Sequence, residues 1–300
     1  MIPYSDGIAA RRFPVVNTAL IVANFAVFLF YELPNGDAAV NQASFYPCDV
    51  NNSCHVGIPW GLSWITAMFM HAGWDHILGN MLFLVIFGKN VEDAFGRLGY
   101  LAFYLAGGFA ATMMQTAMTL LFGTASDARI PNLGASGAIA AVLGAYIVLY
   151  PDSRILTLLG WFPIRIPAWI FLGGWFLYQF FEGNYGLVHP DSTGGSGVAF
   201  FAHVGGFVFG VLVAIVLTRA GRITAKGCDS RSGVRCYNAT VSEVFKAWLS
   251  PAATPLPGSE NRGLARRRTD SCDRLPAAAH RFVKCQAATA VSRCPPAAEG

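Results

Sequence analysis

The segment Pro131-Asn-Leu-Gly134-Ala-Ser136-Gly137-Ala-Ile-Ala-Ala141-Val-Leu-Gly144-Ala-Tyr-Ile-Val-Leu-Tyr150-Pro151 decides the fold. It is an apolar run held between two prolines. From Ser136 to Tyr150 it makes about 22 Å of helix, against a bilayer hydrocarbon core roughly 30 Å thick. With Tyr150 and Pro151 at one interface, Ser136 lies on the order of 8 Å below the other. Pro131-Asn132-Leu133-Gly134 does not suit regular helix. Non-helical backbone at that depth is tolerated only when buried in protein or lining a wet cavity. The segment therefore predicts a water-accessible pocket with a serine at the start of a helix. Packing is the competing reading of Ser136, because Gly137, Ala141 and Gly144 form a small-residue face suited to close helix approach.

Composition agrees with a membrane setting. Of 300 residues, 54% are hydrophobic and 13% charged, where soluble domains carry roughly 25% charged residues; mean hydropathy is +0.45. A soluble globule, a disulfide-rich secreted mini-domain and a disordered chain are all excluded. Charge divides the chain. Residues 1–218 hold 7 Lys+Arg and 11 Asp+Glu, and residues 219–300 hold 14 and 6. The expected organisation is a cytoplasmic N-terminus over 1–14, a membrane domain over 15–218, and a basic, disordered cytoplasmic tail over 219–300.

Six apolar segments qualify as spans: Val15–Tyr31, Asp75–Phe87, Gly99–Phe122, Ala135–Tyr150, Pro167–Phe181 and Val198–Thr218. Arg11 and Arg12 ahead of the first segment resemble the start of a signal peptide, but the apolar run is long and no small-x-small site closely follows. Basic residues set orientation. Arg11, Arg12, Lys89, Arg97, Arg154 and Arg165 share one side with the tail, and Arg129 alone falls on the other. Both termini are thus expected on the cytoplasmic side, which requires an even number of spans.

Histidine and asparagine within spans are functional candidates by default. The second span region reads His71-Ala-Gly-Trp-Asp-His76-Ile-Leu-Gly-Asn80, and His76 and Asn80, four residues apart, share one helix face. The sixth contains Ala202-His203-Val-Gly-Gly206 with Gly210 a turn further on. Gly206 and Gly210 make a second small-residue face that suits the one on the fourth span. Ser136 and His203 both lie near the outer ends of their spans, and a hydroxyl beside an imidazole is the minimal activated nucleophile. Taken singly, each residue has a plainer reading: His71 as a loop-fixing donor, His76 and Asn80 as cross-helix hydrogen bonders, His203 as a metal ligand. A zinc site lacks its signature, since no His-Glu-x-x-His occurs and the spans contain no Cys. Gly134-Ala-Ser136-Gly-Ala138 also misses the nucleophile-elbow pattern, whose fifth residue is Gly.

Over about residues 15–218 the chain resembles the rhomboid family of intramembrane serine proteases. The matching pieces are His71, His76-Ile-Leu-Gly-Asn80, Gly88-Lys-Asn-Val-Glu92-Asp-Ala-Phe-Gly96-Arg97, Gly134-Ala-Ser136-Gly137, and Ala202-His203-Val-Gly-Gly206 with Gly210. The resemblance implies an all-α, six-helix membrane bundle of the simpler bacterial form, in the cell membrane, with its site opening outward. It implies Ser136 as nucleophile and His203 as general base, a dyad without a third acid. His76, Asn80 and the backbone N–H of Ser136 would form the oxyanion hole. His71 would support the site, Gly134 would sit in the turn beside the nucleophile, and Gly137, Gly206 and Gly210 would allow close helix approach. No cofactor or metal is called for. The substrates implied are membrane proteins with small residues near the cut, admitted by movement of the fifth span and the Gly183–Gly197 loop. Two departures stand out. The first outer loop has Trp60 and Trp64 but no Trp-Arg pair. The position four after the nucleophile, aromatic in some members beneath the imidazole, is Ala140.

Cys48 and Cys54 lie in the first outer loop, where oxidation is permitted, and are expected to pair; free thiols or a metal site with His55 are the alternatives. The other five cysteines fall in the tail and are expected to be reduced. Arg266-Arg267-Arg268 and the tail's basic excess would suit anionic lipid headgroups, a solvated segment being the plainer reading. Nothing calls for nucleic acid. Three functions compete: an intramembrane protease, an inactive relative that binds or escorts membrane proteins, and a transporter or channel. Intact Ser136 and His203 favour the first over the second. Few charges within the spans and no inverted repeat disfavour the third.

Overall fold

The helix entered by Ser136 forms the centre of the structure, a computed structural model that describes residues 2–188 and 199–225. In chain order the elements are β1 (Ile2–Ser5), α1 (Val15–Val27), α2 (Leu33–Asn35), α3 (Asp37–Ala43), α4 (Pro47–Val50), α5 (Trp60–Ala67), α6 (Trp74–Phe83) and α7 (Lys89–Phe95). They continue with α8 (Arg97–Phe122), α9 (Ser136–Leu149), β2 (Arg154–Leu159), β3 (Phe162–Pro167), α10 (Ala168–Val188) and α11 (Phe200–Arg219). Helices occupy the places of all six expected spans. Among the described residues, three helical runs are long and apolar enough to cross a membrane: Val15–Asn35, in which a π-helical stretch at Phe28–Glu32 joins α1 to α2, Arg97–Phe122 and Phe200–Arg219.

The core is apolar, but several polar side chains are buried while large apolar ones are exposed. On α1 the buried residues include Asn17 and Asn24, while Val22, Leu29 and Phe30 along the same helical run are exposed. On α10, Gln179 is buried while Leu177, Tyr178, Phe180 and Phe181 are exposed. Outward-facing apolar side chains with polar ones turned inward suit a helix that crosses a bilayer. The central α9 is apolar all round and buried from Gly137 through Tyr146, as befits a helix enclosed by others.

Glycine sets how closely α11 lies on α9. A Cβ on Gly206 would collide with the carbonyl oxygen of Gly137, one on Gly210 with that of Ala141, and one on Gly144 with that of Phe207. The two backbones therefore touch along two turns, the small-xxx-small arrangement expected from the sequence. Ala140 lies 3.3 Å from the point where a Cβ on Gly206 would stand, so its small side chain belongs to the same seam.

Before α9 the chain is extended, and residues of the α3–α5 region satisfy its backbone. Asn132 and Phe45 exchange N–H to C=O bonds of 2.7 and 3.0 Å, and the Gly134 N–H donates to the Ala67 carbonyl at 2.8 Å. These non-helical residues, partly buried, thus have their backbone polar groups answered by protein.

Two expectations need correction. The fold is not purely helical. Residues expected as a plain loop and a plain N-terminus form an antiparallel three-stranded sheet in the order β1-β2-β3. The strands β2 and β3 form a hairpin closed at Leu159 and Phe162, with Gly160 at φ +62°. Ile155 and Thr157, the β-branched residues of β2, are buried on one face of it, a two-residue alternation. Secondly, the expected loop after Phe87 is helical. A π turn at Leu84–Gly88 joins α6 to α7, and Gly96, at φ +74°, makes the turn into α8. Asp6 was not among the residues singled out from sequence. It is fully buried, pairs with Lys89 at 2.8 Å, and accepts from Asn90 and, at 2.9 Å, from the Tyr146 hydroxyl. A carboxylate withdrawn from water needs such partners. The tail beyond residue 225 and the 189–198 part of the expected gate loop lie outside the described residues.

Candidate active site

Ser136 is the first residue of α9 and is partly buried. The N–H groups of a first helical turn have no intrahelical acceptor, and the aligned peptide dipoles place partial positive charge there. His203 is in the first turn of α11. Its Nε2 lies 2.7 Å from Ser136 Oγ. Its Nδ1 lies 2.9 Å from Gln179 Oε1 on α10. With Nδ1 donating to that oxygen, Nε2 is left free to accept the serine proton.

Gln179 was not among the residues singled out from sequence. Its signal is that it is the one amide in the apolar stretch Ala168–Phe181. Trp175, one turn earlier on α10, packs its ring on the imidazole with centroids 5.6 Å apart and an interplanar angle of 42°. An aromatic surface against His203 is thus supplied by α10, where Ala140 on α9 has none to offer.

The other side of the serine is formed by α6. The Ala72 N–H donates to His76 Nδ1 at 3.3 Å, which puts the ring proton of His76 on Nε2. That nitrogen and Cε1 lie 2.8 Å from where a Cβ on Gly134 would stand, and Asn80 Nδ2 lies 3.7 Å from the same point. Asn80 Nδ2 is buried without a protein partner. Gly134 has φ +116°, so its conformation and the space both exclude a side chain. The result is a gap two residues before Ser136 with N–H donors of α6 at its edge.

His71 sits behind this pair. Its backbone N–H donates to both carboxylate oxygens of Glu32, at 3.0 and 2.9 Å. Its ring meets that of His76 edge-on, with centroids 5.1 Å apart. Glu32, not singled out from sequence, is buried and ties the helical run of α1 to the chain entering α6. Beside Ser136 and Gly137 is a cavity of about 30 Å³ whose polar lining comes from Thr112, Gln115 and Asn132. That is room for about one water.

Cys48 and Cys54 are joined in a disulfide with Cα atoms 5.3 Å apart. Together with Asp49 they present ligand atoms within 4.8 Å of one another. Because the two sulfurs are bonded to each other, this cluster does not make a metal site. Nearby Tyr46 is buried, and burial raises its phenol pKa, with the Asp49 carboxylate adding to the effect.

A family model described as the Rhomboid domain matches residues 60–220, which contain Ser136, His203, His76 and Asn80. The chain belongs to the rhomboid family. Among similar rhomboid proteins, RHOMBOID-like protein 12, mitochondrial, of Arabidopsis thaliana is 29% identical over 196 residues, covering 61% of this chain and 56% of that protein. RHOMBOID-like protein 1 of the same plant is 32% identical over 192 residues, covering 60% and 40%. Rhomboid protein 1, mitochondrial, of Saccharomyces cerevisiae is 29% identical over 152 residues, covering 51% and 41%. The chain thus spans about half the length of these rhomboid relatives, and its membrane helices accord with theirs being a membrane-protein family.

Proposed function

We propose that this rhomboid is a serine endopeptidase that cuts peptide bonds in or beside transmembrane helices of membrane proteins. The observation that carries the reading is the 2.7 Å contact between His203 Nε2 and Ser136 Oγ, at a helix start flanked by the Gly134 gap. In the first step His203 Nε2 takes the Ser136 proton as Oγ bonds to the scissile carbonyl carbon, and the carbonyl π pair moves to oxygen. The oxyanion occupies the gap beside Gly134, facing the Ser136 N–H, His76 Nε2–H and Asn80 Nδ2–H. The intermediate collapses, the C–N bond breaks, and the leaving amine takes the proton from His203. Water then attacks the acyl-serine, giving its proton to His203, and Oγ departs with that proton. The cavity lined by Thr112, Gln115 and Asn132 provides room for this water.

The basic residues Arg11, Arg12, Arg97, Arg154 and Arg165 support six spans with both termini cytoplasmic and the site opening to the outer side. The oxidised Cys48–Cys54 loop near the serine end of α9 accords with an outer, oxidising face. The bacterial cell membrane is the setting that the six-span form suggests.

The test uses the purified chain in detergent and in liposomes, with a single-pass substrate bearing small residues near its outer end. Cleavage by the parent, and by neither Ser136→Ala nor His203→Ala, is the expected result. Cleavage that persists in Ser136→Ala refutes the nucleophile. No cleavage of several such substrates, and no labelling of Ser136 by a fluorophosphonate, refutes the protease reading in favour of a membrane-protein binder.

A further inference from the structure

We infer that Gln179 is a positioning residue for His203, and that its side-chain carbonyl fixes the imidazole in the tautomer able to take the serine proton. This rests on the protease reading. The imidazole of His203 has two edges: Nε2 meets Ser136 Oγ at 2.7 Å and Nδ1 meets Gln179 Oε1 at 2.9 Å. An amide oxygen only accepts, so Nδ1 carries the proton and Nε2 presents its lone pair to the hydroxyl. The opposite tautomer would face Ser136 with N–H and could not act as base. Trp175 and Gln179 are i and i+4 on α10, one covering the face of the imidazole and the other holding its edge. Two contacts from one helix thus fix both the tilt of the ring and its rotation.

The choice of an amide follows from the medium. When His203 has taken the proton, the imidazolium keeps its Nδ1–H bond, and the carbonyl dipole of Gln179 faces the new positive charge. Gln179 takes no proton itself. A carboxylate could play the same part but would have to be buried ionised among lipid-facing helices, which is costly. Gln179 is 7% exposed, on a helix whose neighbouring positions face outward with apolar side chains. A buried amide at this point is explained by the bond it makes. Because Gln179 is on α10 and Ser136 on α9, the productive tautomer also depends on where α10 sits.

The experiment compares the parent with Gln179→Leu, Gln179→Met and Gln179→Glu, in liposomes, using the substrate named above. Leu and Met keep the volume and lose the acceptor; Glu keeps an acceptor. The expected result is a fall in kcat of roughly 10-fold or more for Leu and Met, since a misdirected tautomer is costly in serine hydrolysis, with KM within about twofold of the parent. Gln179→Glu should recover most of that loss relative to Leu, and Ser136 labelling by a fluorophosphonate should slow in parallel with kcat. Parent-like kcat in both Leu and Met overturns the inference. So does a rise in KM with kcat unchanged, or a loss that Glu does not relieve in a variant with parent-like Tm; either would make Gln179 a packing residue of α10. An inactive, unlabelled parent overturns the protease reading and this inference with it, a result distinct from an active parent whose Gln179 variants are unaffected.

Discussion

Gly206 on α11 rests against the carbonyl oxygen of Gly137 on α9, with no space for a side chain between them. Gly137 follows Ser136, and Gly206 is three residues after His203. The seam between these two glycines therefore sets the distance between hydroxyl and imidazole. Substituting Gly206 with Ala forces the helices apart or distorts both. Overpacking of this kind costs roughly 1–3 kcal/mol. A lowered Tm and a loss of cleavage larger than the stability change alone explains are expected; unaltered cleavage would show that the seam does not control the dyad.

Gly134→Ala tests the gap beside the serine. Its Cβ would stand 2.8 Å from His76 Nε2, at a backbone φ of +116°. The variant should lose most of its kcat. His76→Ala and Asn80→Ala each remove one donor, and each should lower kcat by about 10²–10³-fold, the usual effect of deleting an oxyanion donor. Single-turnover rates with a fixed substrate measure this; a change confined to KM would argue that these groups bind substrate in its ground state.

Glu32→Ala leaves the His71 N–H buried without an acceptor, at a cost of roughly 1–3 kcal/mol. Glu32→Gln keeps an acceptor and should recover about half or more of that loss. Thermal unfolding in a mild detergent distinguishes the two. Equal stability of both variants would show that the contact does not hold α1 to the turn before α6.

Asp6→Ala removes the acceptor shared by Lys89, Asn90 and Tyr146. Breaking a buried ion pair from one side costs roughly 3–5 kcal/mol. The lower figure applies here, because the Lys89 side chain keeps 24% exposure. The loss should appear in Tm, with Ser136 labelling at low temperature preserved, since the pair lies at the opposite end of α9 from the serine.

Cys48→Ser with Cys54→Ser opens a short loop, sequence separation 6. For a ring of this size the chain-entropy estimate is about 2 kcal/mol. A Tm lowered by both the double variant and reductant in the parent, with no further effect of reductant on the double variant, is the expected pattern.

The apolar segments, the shortness of α9 and the place of Ser136 at its start were legible in the sequence, because hydropathy and helix length are local quantities. So were the helix face shared by His76 and Asn80, and the glycines that let α9 and α11 meet. What only the tertiary structure decided was which polar groups answer one another across the bundle. Gln179, Glu32 and Asp6 each stand among residues that give no hint of a partner 24, 39 or 83 positions away. In an apolar medium every buried polar group must find a partner, so a lone amide or carboxylate announces that a partner exists. Sequence gives the depth at which that partner must lie, but not the side of the helix or the neighbour that supplies it. The sheet was missed for a related reason: β1 and β2 are distant in the chain, and the alternation in β2 becomes informative only once β1 lies beside it. The chemistry each side chain can do follows from the residue itself; the partner of His203 Nδ1, the backbone support of Gly134 and the burial of Asp6 follow from contacts between elements that no local pattern encodes.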